Sequence, residues 1–192
     1  MSDYNFLTVK ITFWGQLVCN HYSRTIRIIK EYLGIKKLDT VLDIGGGDGK
    51  IAKMIQEETK AKIIVVEPSS AMLKILRKRN LNFIKARAEK LPIASNFADF
   101  ALFIQTLHHV PDLESAIQEV GRTLKNGGKL YIQELNESPS FFQKIAKKME
   151  SVYISQVYHY SFGEIQNMLH KYNFNVNFLS GERGMNFIAQ KR

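Results

Sequence analysis

The sequence predicts an α/β fold: a doubly wound, mostly parallel seven-stranded sheet with helices on both faces and a C-terminal antiparallel hairpin. Three observations carry that reading. Strand-like and helix-like segments alternate with short loops between residues 23 and 135. "KIIVVE", Lys62–Glu67, is a continuous β-branched run, as expected of a strand covered on both faces. A glycine-rich turn follows the first strand directly.

Each element has its own signal. Ser23–Leu33 repeats apolar side chains at Ile26, Ile29 and Leu33, a helical spacing. Strand Thr40–Ile44 leads into the glycine turn, and a helix over Lys50–Thr59 puts Ile51, Met54 and Ile55 on one face. After Lys62–Glu67 comes a helix near Ser70–Asn80, with Ser69 or Ser70 as N-cap. "NFIKA", Asn82–Ala86, and "ADFALFIQT", Ala98–Thr106, read as strands three and four. Asp112 caps a helix to about Leu124, closed by Asn126-Gly127-Gly128, and "KLYIQEL" is strand five. Ser140–Val157 reads as a helix with Lys144, Lys147 and Lys148 on a basic face. Ser161-Phe-Gly-Glu164 is a capping-box pattern opening a helix over Phe162–Tyr172. "FNVNFLS" and "MNFIAQ" flank Gly181–Gly184 as a hairpin that adds two strands at the sheet edge.

Right-handed crossovers bring the carboxyl ends of strands one, two and four to one edge, where ligands of such sheets bind. A single domain over residues 1–192 is the economical reading. It divides into an N-terminal cap segment (1–22), a cofactor-binding core (23–135), a substrate cap (136–160), and a helix with the hairpin (161–192). With 45% hydrophobic and 23% charged residues the composition is that of an ordinary soluble domain. No apolar run reaches the roughly 18 residues of a membrane span, and the N-terminus lacks a signal-peptide layout, so a cytoplasmic location is expected. Cys19 is the only cysteine, which excludes an internal disulfide and a cysteine metal cluster.

A formal charge of +9 raises the question of nucleic acid, yet no dominant basic block emerges. The densest cluster, Lys74, Arg77, Lys78 and Arg79, falls in the last turns of a predicted helix, where cations complement the helix dipole.

The turn "VLDIGGGDG" threads Asp43 and Asp48 among Gly45, Gly46, Gly47 and Gly49. A P-loop would need Lys followed by Ser or Thr, whereas Gly49 is followed by Lys50 and Ile51. A dinucleotide turn spaces its glycines G-x-G-x-x-G; here the spacing is G-x-G-x-G, although the acid about 20 residues on, Glu67, is in place. Asp43 weighs against a pyrophosphate, because like charges at ~4 Å lose on the order of 4 kcal/mol at a surface-like dielectric. A cationic ligand gains instead. S-adenosylmethionine carries an ammonium and a sulfonium, and its ribose diol suits Glu67. Asp48 reads either as reaching toward the amino acid end of that cofactor or as a cap of the following helix, the cap being the preferred reading.

"VLDIGGGDG", "VVEPSSAML", "ARAEKLPI" and "ALFIQTLHHVPDLESAIQEVGRTLKNGGKLYI" together resemble, in order and spacing, the motifs of class I S-adenosylmethionine-dependent methyltransferases. The likeness is greatest to the small-molecule subgroup that includes quinone-biosynthesis C-methyltransferases, and it covers about residues 23–135. The resemblance implies that Gly45, Gly46 and Gly47 admit the methionine part of the cofactor, with Asp43 oriented toward its ammonium directly or through water. It implies that Glu67 accepts both ribose hydroxyls, Pro68 and Met72 lie near the adenine, the Ala88 backbone N–H meets the adenine ring, and Gln105 lines the floor under the sulfonium. One position departs from the pattern. The subgroup often has Asp-Ala-Glu before Leu-Pro; here the residues are Arg87-Ala88-Glu89, and arginine cannot accept from the adenine amino group. Glu89 or a backbone carbonyl must then take over, or adenine is held less specifically.

Methyl transfer needs a general base only when the nucleophile must lose a proton. His108 and His109 follow strand four and are candidates for that base; His21 and Tyr22 are candidates to close over the site. No catalytic residue is assigned. "IQTLHH" lacks the Asn/Asp-Pro-Pro-aromatic signature of amide and exocyclic-amine methylation, and no Asp/His cluster has metal-ligand spacing. The expected acceptor is therefore a C, O or N nucleophile on a small molecule, with S-adenosylhomocysteine as by-product and no metal. Phe13, Trp14, Phe141, Phe142, Tyr153, Tyr158, His159 and Tyr160 suit an apolar or aromatic acceptor. RNA or protein methylation, or a non-catalytic partner subunit, are the alternatives.

Overall fold

A computed structural model describes residues 23–134, 158–179 and 184–192. The expected substrate-cap helix, the N-terminal cap segment with His21 and Tyr22, and most of the aromatic acceptor surface lie outside the described residues. Two compact units are present, Met1–Ile35 and Lys36–Arg192. In the first, α1 runs over residues 23–33, with a π-helical last turn at Ile29–Leu33 that ends at left-handed Gly34. Ile26, Ile29 and Leu33 are buried, as the helical spacing requires.

The second unit holds a seven-stranded sheet: β1 Thr40–Ile44, β2 Lys62–Val66, β3 Asn82–Ile84, β4 Ala98–Ile104, β5 Leu124–Glu134, β6 Phe174–Phe178 and β7 Met185–Lys191. Their order is β3-β2-β1-β4-β5-β7-β6, with β1 to β5 parallel and β7 antiparallel to both β5 and β6. The chain order reverses between β1 and β4, so the carboxyl ends of these two strands flank the switch point. β1 is central, and Val41, Leu42 and Ile44 are fully covered because both its neighbours continue the sheet.

The helices are α2 Lys50–Thr59, α3 Ser70–Lys78, α4 Leu113–Thr123 and α5 Phe162–Lys171. The expected caps are in place. Ser69 accepts the Met72 N–H, Asp112 accepts the Ser115 N–H, and Ser161 forms a reciprocal capping box with Glu164. Phe162 at the start of α5 packs its ring 4.9 Å from that of Phe187 on β7, which seats this helix on the hairpin.

Several boundaries differ from the sequence reading: β2 stops at Val66 and β3 at Ile84, and β4 and β5 differ for a backbone reason. β4 stops at Ile104 instead of Thr106 because Gln105 takes a left-handed φ of 54°. β5 begins at Leu124, directly after α4, and its register with β4 shifts between Ala98 and Phe100. Gly127, at φ 76°, allows residues 125–128 to leave the ladder there.

Candidate cofactor-binding site

The glycine turn sits at the end of β1, tied to its neighbours on both sides. Gly45 N–H donates to the Val66 carbonyl at 2.7 Å, which continues the β1–β2 pairing into the turn. On the other side, a side chain at Gly45 would strike Thr106, which follows β4, and the φ of 69° also requires glycine. Gly46 lies over the Asp43 carboxyl so closely that any Cβ would collide with Asp43 and Val65. Gly47 faces open space. The three glycines thus serve different ends: close packing at the first two and an accessible backbone at the third.

Asp43 is buried, and its Oδ2 has no hydrogen-bond partner among the described residues. Burial pushes its carboxyl up to about 7, and the nearby Glu67 charge adds to the rise. The carboxyl lies beneath the turn, roofed by Gly46, and burial there disfavours its ionised form.

Glu67 leaves the end of β2 and spans two loops. Its Oε2 accepts the Gly47 N–H at 3.1 Å, and its Oε1 accepts the Ser69 N–H at 2.8 Å. Both oxygens keep further acceptor capacity, since each carboxylate oxygen carries more than one lone pair. Pro68 is exposed beside it, and Met72 sits half-buried in the first turn of α3. Asp48 precedes Gly49, the N-cap of α2; it accepts the Lys50 N–H at 3.1 Å and pairs with Arg79 at 3.0 Å. Of the basic cluster, Arg79 is engaged there and Arg77 lies 5.8 Å from the Phe83 ring.

Ala88 and Glu89 occupy the turn after β3, closed by the Lys90 N–H to the Arg87 carbonyl at 3.2 Å. Ala88 is buried in the core, while Arg87 reaches back to Glu89 at 3.1 Å. The arginine that departs from the expected pattern therefore engages the carboxylate that could replace it. α4 holds the segment that follows. Arg122 donates to the carbonyls of Leu91 and Ile93 at 3.0 and 2.8 Å, and Glu119 accepts the Leu91 N–H at 2.8 Å.

At the end of β4, Gln105 donates its N–H to the Gln133 carbonyl at 2.8 Å before the chain enters a 3-10 turn, Leu107–His109. Glu134 is the residue sequence reasoning missed. This buried carboxylate accepts the N–H groups of Thr106 and Leu107 at 2.7 and 2.6 Å, and it meets His108 Nδ1 at 2.8 Å. The one available signal was an acid two residues after the apolar run Leu130-Tyr131-Ile132 of strand five. His109 contrasts with its neighbour: burial and the adjacent His108 push its imidazole down to about 4. Tyr158 N–H donates to the His108 carbonyl at 2.8 Å and the Tyr160 hydroxyl to that of Val110 at 2.6 Å, so the chain rejoins on this same turn. Among the described residues, no group of three or more His, Cys, Asp or Glu side chains could hold a metal, and no helix is long and apolar enough to cross a membrane.

Comparison with known proteins agrees with this geometry. The family described as "Methyltransferase domain" matches residues 42–132, from β1 to β5. The ubiquinone/menaquinone biosynthesis C-methyltransferase UbiE of Pectobacterium atrosepticum is 28% identical over 145 residues, covering 69% of this chain and 55% of that protein. Its counterpart from Rhizobium meliloti is 37% identical over 107 residues, covering 50% and 42%. This chain thus spans about half the length of the curated relatives it matches. A solved SAM-dependent methyltransferase of Thermotoga maritima, described as a possible histamine N-methyltransferase, is 27% identical with a TM-score of 0.73, covering 96% of this chain and 95% of that one. In motif order, sheet topology and these likenesses, the chain is similar to the class I S-adenosylmethionine-dependent methyltransferases.

Proposed function

We propose that this chain uses S-adenosylmethionine to methylate a C, O or N nucleophile of a small molecule, releasing S-adenosylhomocysteine. The observation that carries the reading is the glycine turn laid over a buried Asp43 oxygen that has no hydrogen-bond partner among the described residues, with Glu67 bound to the same turn. This arrangement fits a ligand with a cationic amino acid end and a ribose diol. Gly46 has no room for a side chain, Gly47 leaves its backbone approachable, and Asp43 lies below, where a cationic ligand would favour its ionised form. S-adenosylmethionine, when bound, supplies an electrophilic methyl group on a sulfonium.

The chain's own residues have separable tasks in this proposal. Gly45, Gly46 and Gly47 admit the methionine end, and Asp43 favours its ammonium through the field beneath the turn. Glu67 accepts from the ribose hydroxyls while its two backbone bonds hold it in place. Pro68, Met72, Ala88 and Glu89 face the adenine side, and Gln105 lines the floor. Positioning supplies much of the rate of such a transfer. The aromatic residues on either side of the core, including Tyr158 and Tyr160, favour an apolar or aromatic acceptor.

A radiolabelled methyl-transfer screen over metabolite, RNA and protein fractions of the source cell tests the reading. Label in the metabolite fraction supports it. Label confined to RNA or protein replaces the acceptor class, and cofactor binding with no label in any fraction turns the chain into a non-catalytic partner subunit.

A further inference from the structure

Glu134 stands outside every role assigned above, yet it gathers three donors onto one buried carboxylate. Its Oε1 is occupied by the Thr106 and Leu107 N–H groups, and its Oε2 faces His108 Nδ1 at 2.8 Å. An ionised carboxylate can only accept, so the proton of this last bond sits on Nδ1. In the neutral imidazole the lone pair is then on Nε2. Two backbone bonds fix the carboxylate, and the carboxylate in turn fixes the tautomer.

We infer that Glu134 is a positioning residue that makes His108, and not His109, the ring that takes up a proton at the end of β4. This rests on the methyltransferase reading for its use, though not for its test. The two rings lie 3.9 Å apart between centroids. His109 is poorly suited to hold a proton, since burial and a charged His108 oppose it and outweigh the favourable Glu134 charge. The contacts of His108 include Glu134 from β5, His109 from its own turn, and the Tyr158 backbone N–H on its carbonyl. Of these three, Glu134 brings the charge that stabilises an imidazolium. The turn also lies against the glycine loop: the Thr106 hydroxyl has the Ile104 carbonyl at 3.1 Å and the Gly45 carbonyl at 3.4 Å as alternative acceptors for its one proton, and its methyl group blocks any side chain at Gly45.

The consequence concerns the acceptor. A nucleophile that arrives with a proton, as a phenolic or enolic O–H, an amine or an activated ring C–H, forms its bond to the methyl carbon as the carbon–sulfur bond breaks and leaves its pair on sulfur. The proton left over passes to His108 Nε2, and Glu134 balances the imidazolium. The acceptor class inferred is therefore a protonated nucleophile and not a preformed anion.

The test uses the protein without cofactor. Long-range ¹H–¹⁵N spectra of histidine-labelled protein are expected to show His108 as the Nδ1–H tautomer. Glu134→Gln keeps a carbonyl for the two backbone N–H groups and turns an amide N–H₂ toward Nδ1. It should therefore invert the tautomer to Nε2–H and lower proton affinity at His108 by about tenfold or more; Glu134→Asp should retain the parent tautomer. An Nε2–H tautomer in the parent overturns the inference, as does an unchanged His108 signal in Glu134→Gln. The parent spectrum decides even where a variant fails to fold. Loss of cofactor binding in a separate titration would sink the proposed function and leave the tautomer result standing.

Discussion

The Gly47 backbone N–H donates to Glu67 Oε2 at 3.1 Å, so one carboxylate joins the turn after β1 to the end of β2. The same group is the expected ribose acceptor. On the proposed function, cofactor affinity and the shape of the glycine turn would be coupled through this one side chain, and changes on either side of the bond should be felt on the other.

Gly46→Ala drives a methyl group into the Asp43 carboxyl and Val65. Overpacking of this kind costs about 1–3 kcal/mol. Chemical denaturation should show that loss, together with weaker binding of S-adenosylhomocysteine, because the turn must lift to make room. Gly163→Ala, which meets nothing within 4 Å in α5, is the control and should leave both unchanged.

Asp43 makes stability depend on pH in an unusual direction. Its carboxyl is raised from the ordinary 3.8 to about 7 in the folded chain, so folding favours its protonated form. That contribution is whole below pH 3.8 and is lost as pH rises toward about 7. Asp43→Asn removes the buried charge at the cost of an imperfectly paired amide. The variant should gain about 1–3 kcal/mol over the parent at pH 8 and little or nothing at pH 4.5, as read from thermal melts. Binding of a cationic cofactor draws on the ionised carboxyl, so parental affinity should rise between pH 6 and 8, and this slope should vanish in the variant.

Arg122→Ala frees the carbonyls of Leu91 and Ile93 and leaves Glu119 without its partner. Charge-assisted bonds of this sort contribute about 1.5–3 kcal/mol. The melting temperature should fall accordingly, and affinity for adenosine-containing ligands should fall with it, since the segment after Ala88 and Glu89 loses its clamp. A drop in stability with full affinity would show that the 87–90 turn is held independently of α4.

Much of this was legible because it depends on local pattern. "KIIVV" reads as a buried strand from its side chains alone, and Ser161 with Glu164 announces a helix start three residues wide. The spacing of the glycine turn and Glu67 put both at one sheet edge, where the Gly47 N–H meets the Glu67 carboxylate. What escaped depends on contacts distant in sequence. Glu134 gains its role from backbone donors 28 and 27 residues earlier, which no local pattern records. The left-handed Gln105 is held by the Gln133 carbonyl on the neighbouring strand. Asp43 was legible as an acid beside glycines, but its position under Gly46 and its reluctance to ionise follow from burial between β2 and β4.

Calorimetric titration of S-adenosylmethionine and S-adenosylhomocysteine into the protein and into Glu67→Ala tests the central claim most directly. The account predicts binding of both ligands to the parent and a loss of more than tenfold in the variant, with the fold retained by circular dichroism. Absence of binding to the parent, or equal affinity in the two proteins, would contradict it.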